Sequence, residues 1–435
     1  MNEYDSGRIS DFTKAINYRK TENFKEADCF VLNTCHIREK ATEKMFHEIG
    51  RIKKEYKDKK KPIVLITGCV AQAEGEIILK KSKYVDAVIG PQSYQKINEI
   101  IKKIENKNKE KIDETSFDTI KKFDTLSELE NKASKVFNYI TVQEGCDKFC
   151  KFCVVPYTRG VETSRPFEQI ICEVKSLIKN GCKDITLLGQ NVNAYNYKGK
   201  KLSDIIFELE KLDNLQRVRY TTSHPKDMTE DLILAHGRFK KLMPLIHLPV
   251  QSGSNKILDS MNRRHSVEYY LDKIKKLKKI NANLEFTGDF IIGYPGETEE
   301  DFHQSINLLK KVKYIQVFSF VYSPRPGTPA SDLSLTNSSI AKERLIKFQS
   351  LADKYQLDFK RKLIGKTVKV LIEKKINNSN SYFGRDEYMN SVITSELKNK
   401  NLIGKIVEVE IQKTNKQTMF GTIINNFKTE KEFAA

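Results

Sequence analysis

The chain of 435 residues has no tryptophan, 11 prolines and only 8 cysteines. Eight cysteines over this length are too sparse for a disulfide-stapled secreted domain, and the polar start Met1–Ser6 is not an apolar signal segment. No stretch approaches the roughly 20 apolar residues that a membrane span requires. We therefore expect a cytoplasmic protein with reduced thiols and no attachment to a membrane.

Acidic residues are also in the minority. Asp and Glu number 57 against 76 Lys and Arg, which gives a net charge of +19. This charge fits a solvated lysine-rich surface as well as attraction to a polyanion such as nucleic acid, and the charge alone does not decide between them. The length predicts two or three domains.

Strand and helix patterns divide the chain into four parts and predict an α/β protein. Residues 1–101 alternate strands and helices, which predicts an α/β domain with a parallel sheet. Residues 102–135 are rich in Lys, Glu, Asn, Asp and Thr and predict a solvated linker without chemistry. Residues 136–362 contain six β/α units, which predict a partial barrel. Residues 363–428 contain short strands typical of a small all-β barrel.

The most informative motif is a C-x3-C-x2-C spacing, formed by Cys146, Cys150 and Cys153. Three thiolates on one short loop can hold a four-iron cluster while leaving one iron without a protein ligand. An open position of this kind can bind a substrate. The amino and carboxylate groups of S-adenosylmethionine suit it, so the loop predicts an iron–sulfur site that binds this cofactor.

A structural zinc site is the alternative for this loop. It would need a fourth Cys or His ligand, and no His lies between His47 and His224. The next cysteines, Cys172 and Cys182, fall in a predicted helix and at its end, where a structural role is expected. The spacing therefore favours the cluster over zinc.

Polar residues follow the ends of the other predicted barrel strands, where the active sites of barrels lie. Each alone would more often serve in a loop or a helix cap, but a ring of them beside the cysteine loop favours a shared site. Glycine there lets the backbone approach a cofactor closely. No residue is assigned as a catalytic acid or base, His224 and His247 included. The candidates for the cofactor-binding rim are Gln190, Asn191, Ser223, Gln251, Asp289 and Gly293.

Two further cysteines, Cys35 and Cys69, end successive strands of the first domain. Adjacent parallel strands would bring both thiols to one sheet edge, where ligands gather in open α/β sheets. Two thiols are one short of another three-cysteine site, and a buried structural cysteine is the usual alternative. Cys29 lies inside its strand and is expected to pack in the core.

Taken together, these motifs resemble those of the radical S-adenosylmethionine methylthiotransferases. The resemblance covers essentially the whole chain, including the last part, which resembles an RNA-binding TRAM domain. The stretches that carry it are Met1–Ser6, Asn33–Ala41, Thr67–Gln72, Glu144–Gly160, Leu187–Tyr195, Thr222–Pro225, His247–Gly253, Gly293–Thr298 and Tyr322–Thr328.

The resemblance implies two four-iron clusters and S-adenosylmethionine as cofactors. Cys146, Cys150 and Cys153 would hold the cluster that generates a 5′-deoxyadenosyl radical, and a second S-adenosylmethionine would supply a methyl group. Cys35 and Cys69 would help hold an auxiliary cluster that supplies sulfur. In the family a third cysteine precedes the stretch that starts here at Met1, so we expect that ligand and the first strand to be missing from this chain.

The resemblance also implies a substrate: N6-isopentenyladenosine just 3′ of the anticodon in tRNA, converted to its 2-methylthio derivative. The segment Gln190–Tyr195 favours this branch over relatives that modify threonylcarbamoyl adenosine or a ribosomal protein. The implied partners are tRNA and a reductant such as flavodoxin or ferredoxin, and a monomer is expected. The alternative from another class is a non-catalytic basic RNA-binding protein whose cysteines hold a structural metal.

Overall fold

The computed structural model describes residues 1–35, 39–106, 110–128, 135–377, 379–395 and 401–424. Parts of three sequence predictions lie outside these ranges. They are residues 36–38 of a family-like stretch, residues 107–109 and 129–134 of the predicted linker, and residues 378, 396–400 and 425–428 of the last part. None of the helices in the described ranges has the length and apolarity of a membrane-spanning segment.

The first domain is built on a parallel sheet in the order β1-β2-β3-β4. Its strands are β1 (Cys29–Thr34), β2 (Ile63–Gly68), β3 (Ala87–Ile89) and β4 (Ile112–Glu114). Its helices are α1 (Asn2–Lys14), α2 (Glu39–Glu55), α3 (Cys69–Lys81), α4 (Ile97–Glu105) and α5 (Thr119–Glu128). Buried apolar residues form a core cluster on each face of the sheet, as expected for parallel strands covered by helices.

The prediction of a solvated linker over residues 102–135 is wrong for much of its described part. Strand β4 pairs in parallel with β3, and α5 buries Phe123 and Leu126 against the first domain. Lys122, between them in sequence, has a fully buried side chain. A few apolar residues on one helix face are enough to anchor a segment whose overall composition is polar. The domain boundaries themselves stay predictions.

The central part is the predicted partial barrel. Its six parallel strands follow the chain order, and β11 joins β12 through a parallel bridge between Val218 and Leu242. The strands are β5 (Phe137–Thr141), β8 (Asp184–Leu188), β11 (Arg217–Thr221), β12 (Leu245–His247), β13 (Glu285–Ile292) and β14 (Gln316–Val321). The helices outside them are α7 (Phe167–Lys179), α8 (Leu202–Glu210), α9 (Glu230–Arg238), α11 (Val267–Ile280), α12 (Glu299–Val312) and α13 (Ser338–Arg361).

Short strands and helices lie in the loops between the main elements of this barrel. Two hairpins are formed by β6 (Gln143–Glu144) with β7 (Thr163–Ser164) and by β9 (Asn196–Tyr197) with β10 (Lys200–Lys201), and two short helices are α6 (Val155–Arg159) and α10 (Asn255–Ser260). Side-chain caps fix where two of the outer helices begin. The Ser266 hydroxyl accepts from Tyr269 N–H at 3.2 Å, ahead of α11, and Thr298 forms a capping box with Asp301 ahead of α12.

The last part closes into the predicted small barrel in the order β15-β16-β17-β19-β18. Its strands are β15 (Thr367–Lys375), β16 (Ser381–Arg385), β17 (Ser391–Ser395), β18 (Ile406–Thr414) and β19 (Thr418–Ile423). Along β18, buried Val407, Val409 and Ile411 alternate with exposed Glu408 and Glu410, as expected for a strand with one buried face. We call this part the β module.

The β module is fixed to the amino ends of the central strands. Arg217, the first residue of β11, donates to the carbonyls of Lys369 at 2.9 Å and Arg385 at 2.8 Å. The Tyr388 hydroxyl donates to the carbonyl of Asn283, just before β13, at 3.0 Å. The β module therefore lies at the end of the central barrel opposite to the carboxyl ends of its strands.

Candidate active site at the carboxyl ends of the barrel strands

The loop of Cys146, Cys150 and Cys153 lies between β6 and α6, at the carboxyl end of the first barrel strand. Its start is fixed at Gly145, whose φ is +76° and where an added Cβ would lie 2.0 Å from the carbonyl of Val161. The Gly145 N–H donates to Gln190 Oε1 at 2.7 Å. Only glycine fits this position, and the candidate rim residue Gln190 positions the loop.

Loops that follow other strands hold the middle of the cysteine loop. Asn262 donates through Nδ2 to the carbonyl of Phe149 at 3.0 Å, and Lys151 N–H donates to the carbonyl of Met261 at 3.0 Å. The side chain of Phe152 packs into a small apolar cluster with Met261 and Tyr294, among others. The loop is therefore supported from both sides of the barrel mouth.

The three thiols lie in a shielded and partly cationic environment. Cys150 is buried, and Cys146 and Cys153 are half-buried. Arg263 donates through Nη1 to Cys150 Sγ at 3.4 Å and through Nη2 to the carbonyl of Pro249 at 2.7 Å. No pattern in the local sequence predicts that Arg263 lies beside a cysteine.

The pKa of the Cys146 thiol is raised to about 11 and that of Cys153 to about 12, mainly by burial and to a smaller extent by the Cys150 thiol. A tight turn joins two of the three residues, because Cys153 N–H donates to the carbonyl of Cys150 at 2.8 Å. A bound metal deprotonates a coordinating thiol, so this donor set fits a cluster that binds thiolates.

A site for a single metal ion has a different geometry. Over the ranges that the structure describes, no three Cys, His, Asp or Glu side chains converge closely enough to hold one ion. In a four-iron cluster each thiolate binds a different iron atom, so the three sulfur atoms lie farther apart than the ligands of a single ion.

Buried polar atoms without partners lie beside the loop. Among the described residues, Asn191 Oδ1, Ser223 Oγ and His224 Nε2 are buried and accept or donate no hydrogen bond. The ends of β8 and β11 that carry them adjoin, because Val192 N–H donates to the carbonyl of Thr222 at 2.9 Å. Unpaired buried polar atoms are costly, and a polar ligand would satisfy them. The site therefore fits a cofactor with amino, carboxylate and ribose groups.

A carboxylate that sequence reasoning missed, Glu162, belongs to the same side. Asn191 Nδ2 donates to Asp227 Oδ2 at 2.7 Å and lies 3.4 Å from Glu162 Oε2, and Lys148 Nζ pairs with Asp227 at 2.8 Å. Burial raises the pKa of Glu162 to about 7, against the opposing effects of Lys148 and Asn191. The one sequence signal for Glu162 was its position two residues after the family-like stretch Glu144–Gly160, which contains the cysteine loop.

The other predicted rim residues lie across the mouth. Gln251 N–H donates to the carbonyl of Asp289 at 2.9 Å, and Asp289 Oδ2 lies 3.5 Å from His247 Nε2. Gln251 has a φ of 80°, a strained value for a residue with a side chain, as is common at functional sites. Gly293 has φ +69°, and an added Cβ would lie 2.6 Å from Ala341 Cβ, so the structure gives this glycine a packing reason. Cofactor contact by these residues stays a prediction.

Cys35 and Cys69 lie at one edge of the first sheet. The register pairs Thr34 with Gly68, so the residues that follow them leave adjacent strands side by side. Both cysteines are half-buried. This confirms their predicted placement, while their role as cluster ligands stays a prediction. Cys29 lies at the other end of β1 and packs against the core, as predicted.

Four buried charged residues were also missed, and they join the first domain to the cysteine loop: Asp5, Lys122, Glu144 and Arg159. All but Lys122 fall in stretches that carry the family resemblance. No local pattern shows that they meet, since Asp5 and Arg159 are 154 residues apart.

Family models match three parts of the chain. Residues 140–309 match the radical SAM superfamily, residues 1–90 match the uncharacterized protein family UPF0004, and residues 361–424 match the TRAM domain. These matches agree with the order of the three folded parts. The chain contains the domain that carries a four-iron cluster and S-adenosylmethionine in that superfamily.

Curated relatives match over nearly the full length. The tRNA-2-methylthio-N(6)-dimethylallyladenosine synthase of Pelagibacter ubique (strain HTCC1062) is 55% identical over 433 residues, which are 98% of this chain and 96% of the relative. The enzyme of the same name from Rickettsia akari (strain Hartford) is 48% identical and covers 98% and 97% of the two chains. The one from Wolbachia pipientis subsp. Culex pipiens (strain wPip) is 46% identical, with 97% coverage of each.

Solved structures resemble this chain in fold alone. The radical S-adenosylmethionine methyltransferase TsrM from Kitasatospora setae has a TM-score of 0.53 at 11% identity and covers 74% of this chain and 69% of its own. The S-adenosylmethionine radical enzyme OxsB has a TM-score of 0.51 at 12% identity and covers 81% and 53%.

Proposed function

The chain belongs to the family of tRNA-2-methylthio-N(6)-dimethylallyladenosine synthases, and from this premise we propose that it methylthiolates N6-isopentenyladenosine just 3′ of the anticodon in tRNA. It is a radical S-adenosylmethionine methylthiotransferase with a four-iron cluster and S-adenosylmethionine as cofactors. The single observation that carries the proposal is the loop of Cys146, Cys150 and Cys153, which contacts with Gln190, Met261 and Asn262 hold at the barrel mouth.

The residues around this loop have distinct tasks in the proposed reaction. When bound, the cluster supplies the electron that cleaves S-adenosylmethionine reductively. Arg263 places a positive charge beside the Cys150 thiolate, and Gln190 holds the start of the loop. Asn191 and Ser223 offer their unpaired buried oxygens to the cofactor.

The RNA base enters from solvent past two aromatic side chains. Phe149 and Tyr157 are 45% and 46% exposed, and their rings meet edge to face with centroids 6.3 Å apart. Exposed aromatic rings stack on splayed bases, and bases of single-stranded loops are the usual targets of sequence-specific RNA recognition. With no tryptophan in the chain, these two rings beside Cys150 are our candidates for that contact.

Sulfur transfer requires the second site. Cys35 and Cys69 would supply two thiolates to an auxiliary cluster at the sheet edge, and a bound cluster there would supply the sulfur atom. We assign no third ligand. The electron would come from a reductant such as flavodoxin or ferredoxin, and the enzyme would act as a monomer on tRNA in the cytoplasm.

The test is anaerobic reconstitution of the protein with iron and sulfide, followed by reduction with S-adenosylmethionine. The wild type should form 5′-deoxyadenosine, and Cys150→Ala should form none. Cys172→Ala is the matched control, because Cys172 is exposed on α7 and should be dispensable. A Cys150→Ala variant that cleaves the cofactor at the wild-type rate would remove the loop from the mechanism.

Substrate identity is tested by mass spectrometry of nucleosides from a strain that lacks the gene. Unmethylthiolated isopentenyladenosine should accumulate in its tRNA and disappear when the gene is restored. Unchanged isopentenyladenosine together with a loss of modified threonylcarbamoyl adenosine or ribosomal protein would move the enzyme to another branch. Binding of RNA with zinc, independent of a reductant, would favour the non-catalytic alternative.

A further inference from the structure

A four-residue charge cluster lies buried between the first domain and the cysteine loop. Arg159 Nη2 pairs with Asp5 Oδ2 at 2.8 Å and Nη1 pairs with Glu144 Oε2 at 3.2 Å, while Lys122 Nζ pairs with Glu144 Oε1 at 2.5 Å. All four side chains are at most 3% exposed. Two cations and two anions balance, so the interface carries no net charge from them.

Backbone contacts extend this charge cluster into the first domain. Lys122 Nζ donates to the carbonyl of Pro91 at 2.8 Å, and Gln92 Nε2 donates to the carbonyl of Arg159 at 2.9 Å. Desolvation makes a buried ion pair a weak source of stability, while removal of one partner leaves a costly unpaired charge. Such a cluster is better suited to select one arrangement of two parts than to stabilise either part.

The charge cluster reaches both sets of cysteines. Glu144 lies two residues before Cys146, and Arg159 lies six residues after Cys153. The ion pair between Glu144 and Arg159 therefore joins the two ends of the cysteine loop. Burial opposes the charge of Arg159, yet Asp5, the Cys69 thiol and Glu144 raise its pKa well above the ordinary value. Helix α3, which begins at Cys69, also packs directly against α6, which ends at Arg159.

A second contact connects Asp5 to the other cysteine of that edge. Helix α1, which carries Asp5, receives the Asn33 side chain: Asn33 Nδ2 donates to the carbonyl of Asn2 at 3.0 Å and to Ser6 Oγ at 2.9 Å. Asn33 lies two residues before Cys35. One continuous set of contacts thus runs from Cys35 through α1 and Arg159 to the loop of Cys146.

We propose that Arg159 is a positioning residue that fixes the edge of Cys35 and Cys69 relative to the loop of Cys146, Cys150 and Cys153. This inference rests on the proposed function, in which the radical and the sulfur donor must reach the same adenine carbon. Misplacement by about 1 Å can cost roughly a hundredfold in rate. A loosened interface would still cleave S-adenosylmethionine but would seldom transfer sulfur.

The decisive variant is Arg159→Met, which keeps the length of the side chain and removes its charge. We expect the ratio of 5′-deoxyadenosine to methylthiolated nucleoside to rise about tenfold or more, with cofactor cleavage within about threefold of wild type. Arg159→Lys should recover part of the coupling. Arg219→Met is the matched control, because it breaks the buried pair with Asp184 in the barrel wall and should leave the ratio unchanged.

A second readout does not depend on turnover. In protein without clusters, hydrogen exchange of α1 and of the Cys146–Cys153 loop should accelerate in Arg159→Met and not in Arg219→Met. Glu144→Gln gives the same comparison if Arg159→Met does not fold. An unchanged product ratio, or unchanged exchange in both segments, overturns the positioning role. A wild type that cannot cleave S-adenosylmethionine overturns the proposed function instead. The positioning role is then tested by hydrogen exchange alone.

Discussion

Arg263 donates a hydrogen bond to the Cys150 thiol at 3.4 Å, while its other terminal nitrogen is held by the carbonyl of Pro249. A fixed cation beside a ligand thiolate favours the more negative, reduced form of a bound cluster. Arg263→Met should therefore make its reduction potential more negative, by roughly 60 mV for a tenfold change in a one-electron equilibrium. A redox titration followed by electron paramagnetic resonance measures this, with Arg264→Met as the exposed control. Equal potentials in wild type and Arg263→Met would contradict it.

Gly145→Ala should abolish cluster binding. The new Cβ would lie 2.0 Å from a backbone carbonyl, so the start of the loop must move. Gly181→Ala is the control, because Gly181 also has a positive φ of +95° but no atom within 4 Å of an added Cβ. The Gly181→Ala variant should lose about 1 kcal/mol of stability and should still bind iron. Iron content and thermal melting compare the two, and an iron-loaded Gly145→Ala would show that the loop tolerates the shift.

Ser223→Ala should have opposite effects on the free and the cofactor-bound protein. Its hydroxyl is buried without a partner, so removal should stabilise the protein without cofactor by about 1 kcal/mol. If the hydroxyl serves S-adenosylmethionine, the affinity should fall about tenfold at the same time. Thr394→Val removes a similar orphan hydroxyl in the β module and should stabilise without affecting affinity. Calorimetric titration with S-adenosylmethionine decides, and unchanged affinity for Ser223→Ala would exclude this contact.

Glu162 should make stability fall with rising pH. Its pKa is raised by burial from 4.5 to about 7 in the folded protein, so the folded state holds the proton more tightly than the unfolded chain. The stabilisation is complete below about pH 4.5 and is lost as the pH rises through 7. Because the carboxyl is only half-buried, we expect a loss of about 1 kcal/mol.

Melting of the cluster-free protein from pH 5 to 8 measures this dependence. Glu162→Gln should flatten the curve, and the exposed Glu300→Gln should leave it as in the wild type. If melting temperature depends on pH equally in wild type and Glu162→Gln, Glu162 does not cause the pH dependence.

Phe149→Ala and Tyr157→Ala should each weaken RNA binding by about tenfold, since one base stacked on an aromatic ring contributes roughly 1–3 kcal/mol. Phe207→Ala is the matched control, as Phe207 is 39% exposed on α8, outside the barrel mouth. Binding to a tRNA anticodon stem-loop at one fixed salt concentration measures the effect. Equal affinities for the Phe149 and Phe207 variants would place the base elsewhere.

Sequence alone predicted features set by local pattern. The six β/α units, the small barrel and the cysteine loop all depend on residues close together in the chain. The charge cluster was missed because Asp5 and Arg159 meet only after the first domain packs on the barrel. Helix α5 was missed because its anchors, Phe123 and Leu126, are few within a polar segment. The packing of Gly293 against Ala341 could not be predicted, because it depends on where α13 returns, and contact of Gly293 with a cofactor stays a prediction.

The attachment of the β module through Arg217 has a consequence for the size of the substrate. The module lies at the amino ends of the strands and the cysteine loop at their carboxyl ends. Strand β11, which begins at Arg217, has five residues and β13 has eight, so the two ends are about 16 to 26 Å apart along the strands at roughly 3.3 Å per residue. An RNA held at both ends must bridge at least that depth. A short oligonucleotide with the right base would reach only one end. The folded stem of a tRNA would reach both ends, and two linked weak contacts bind more tightly than either contact alone.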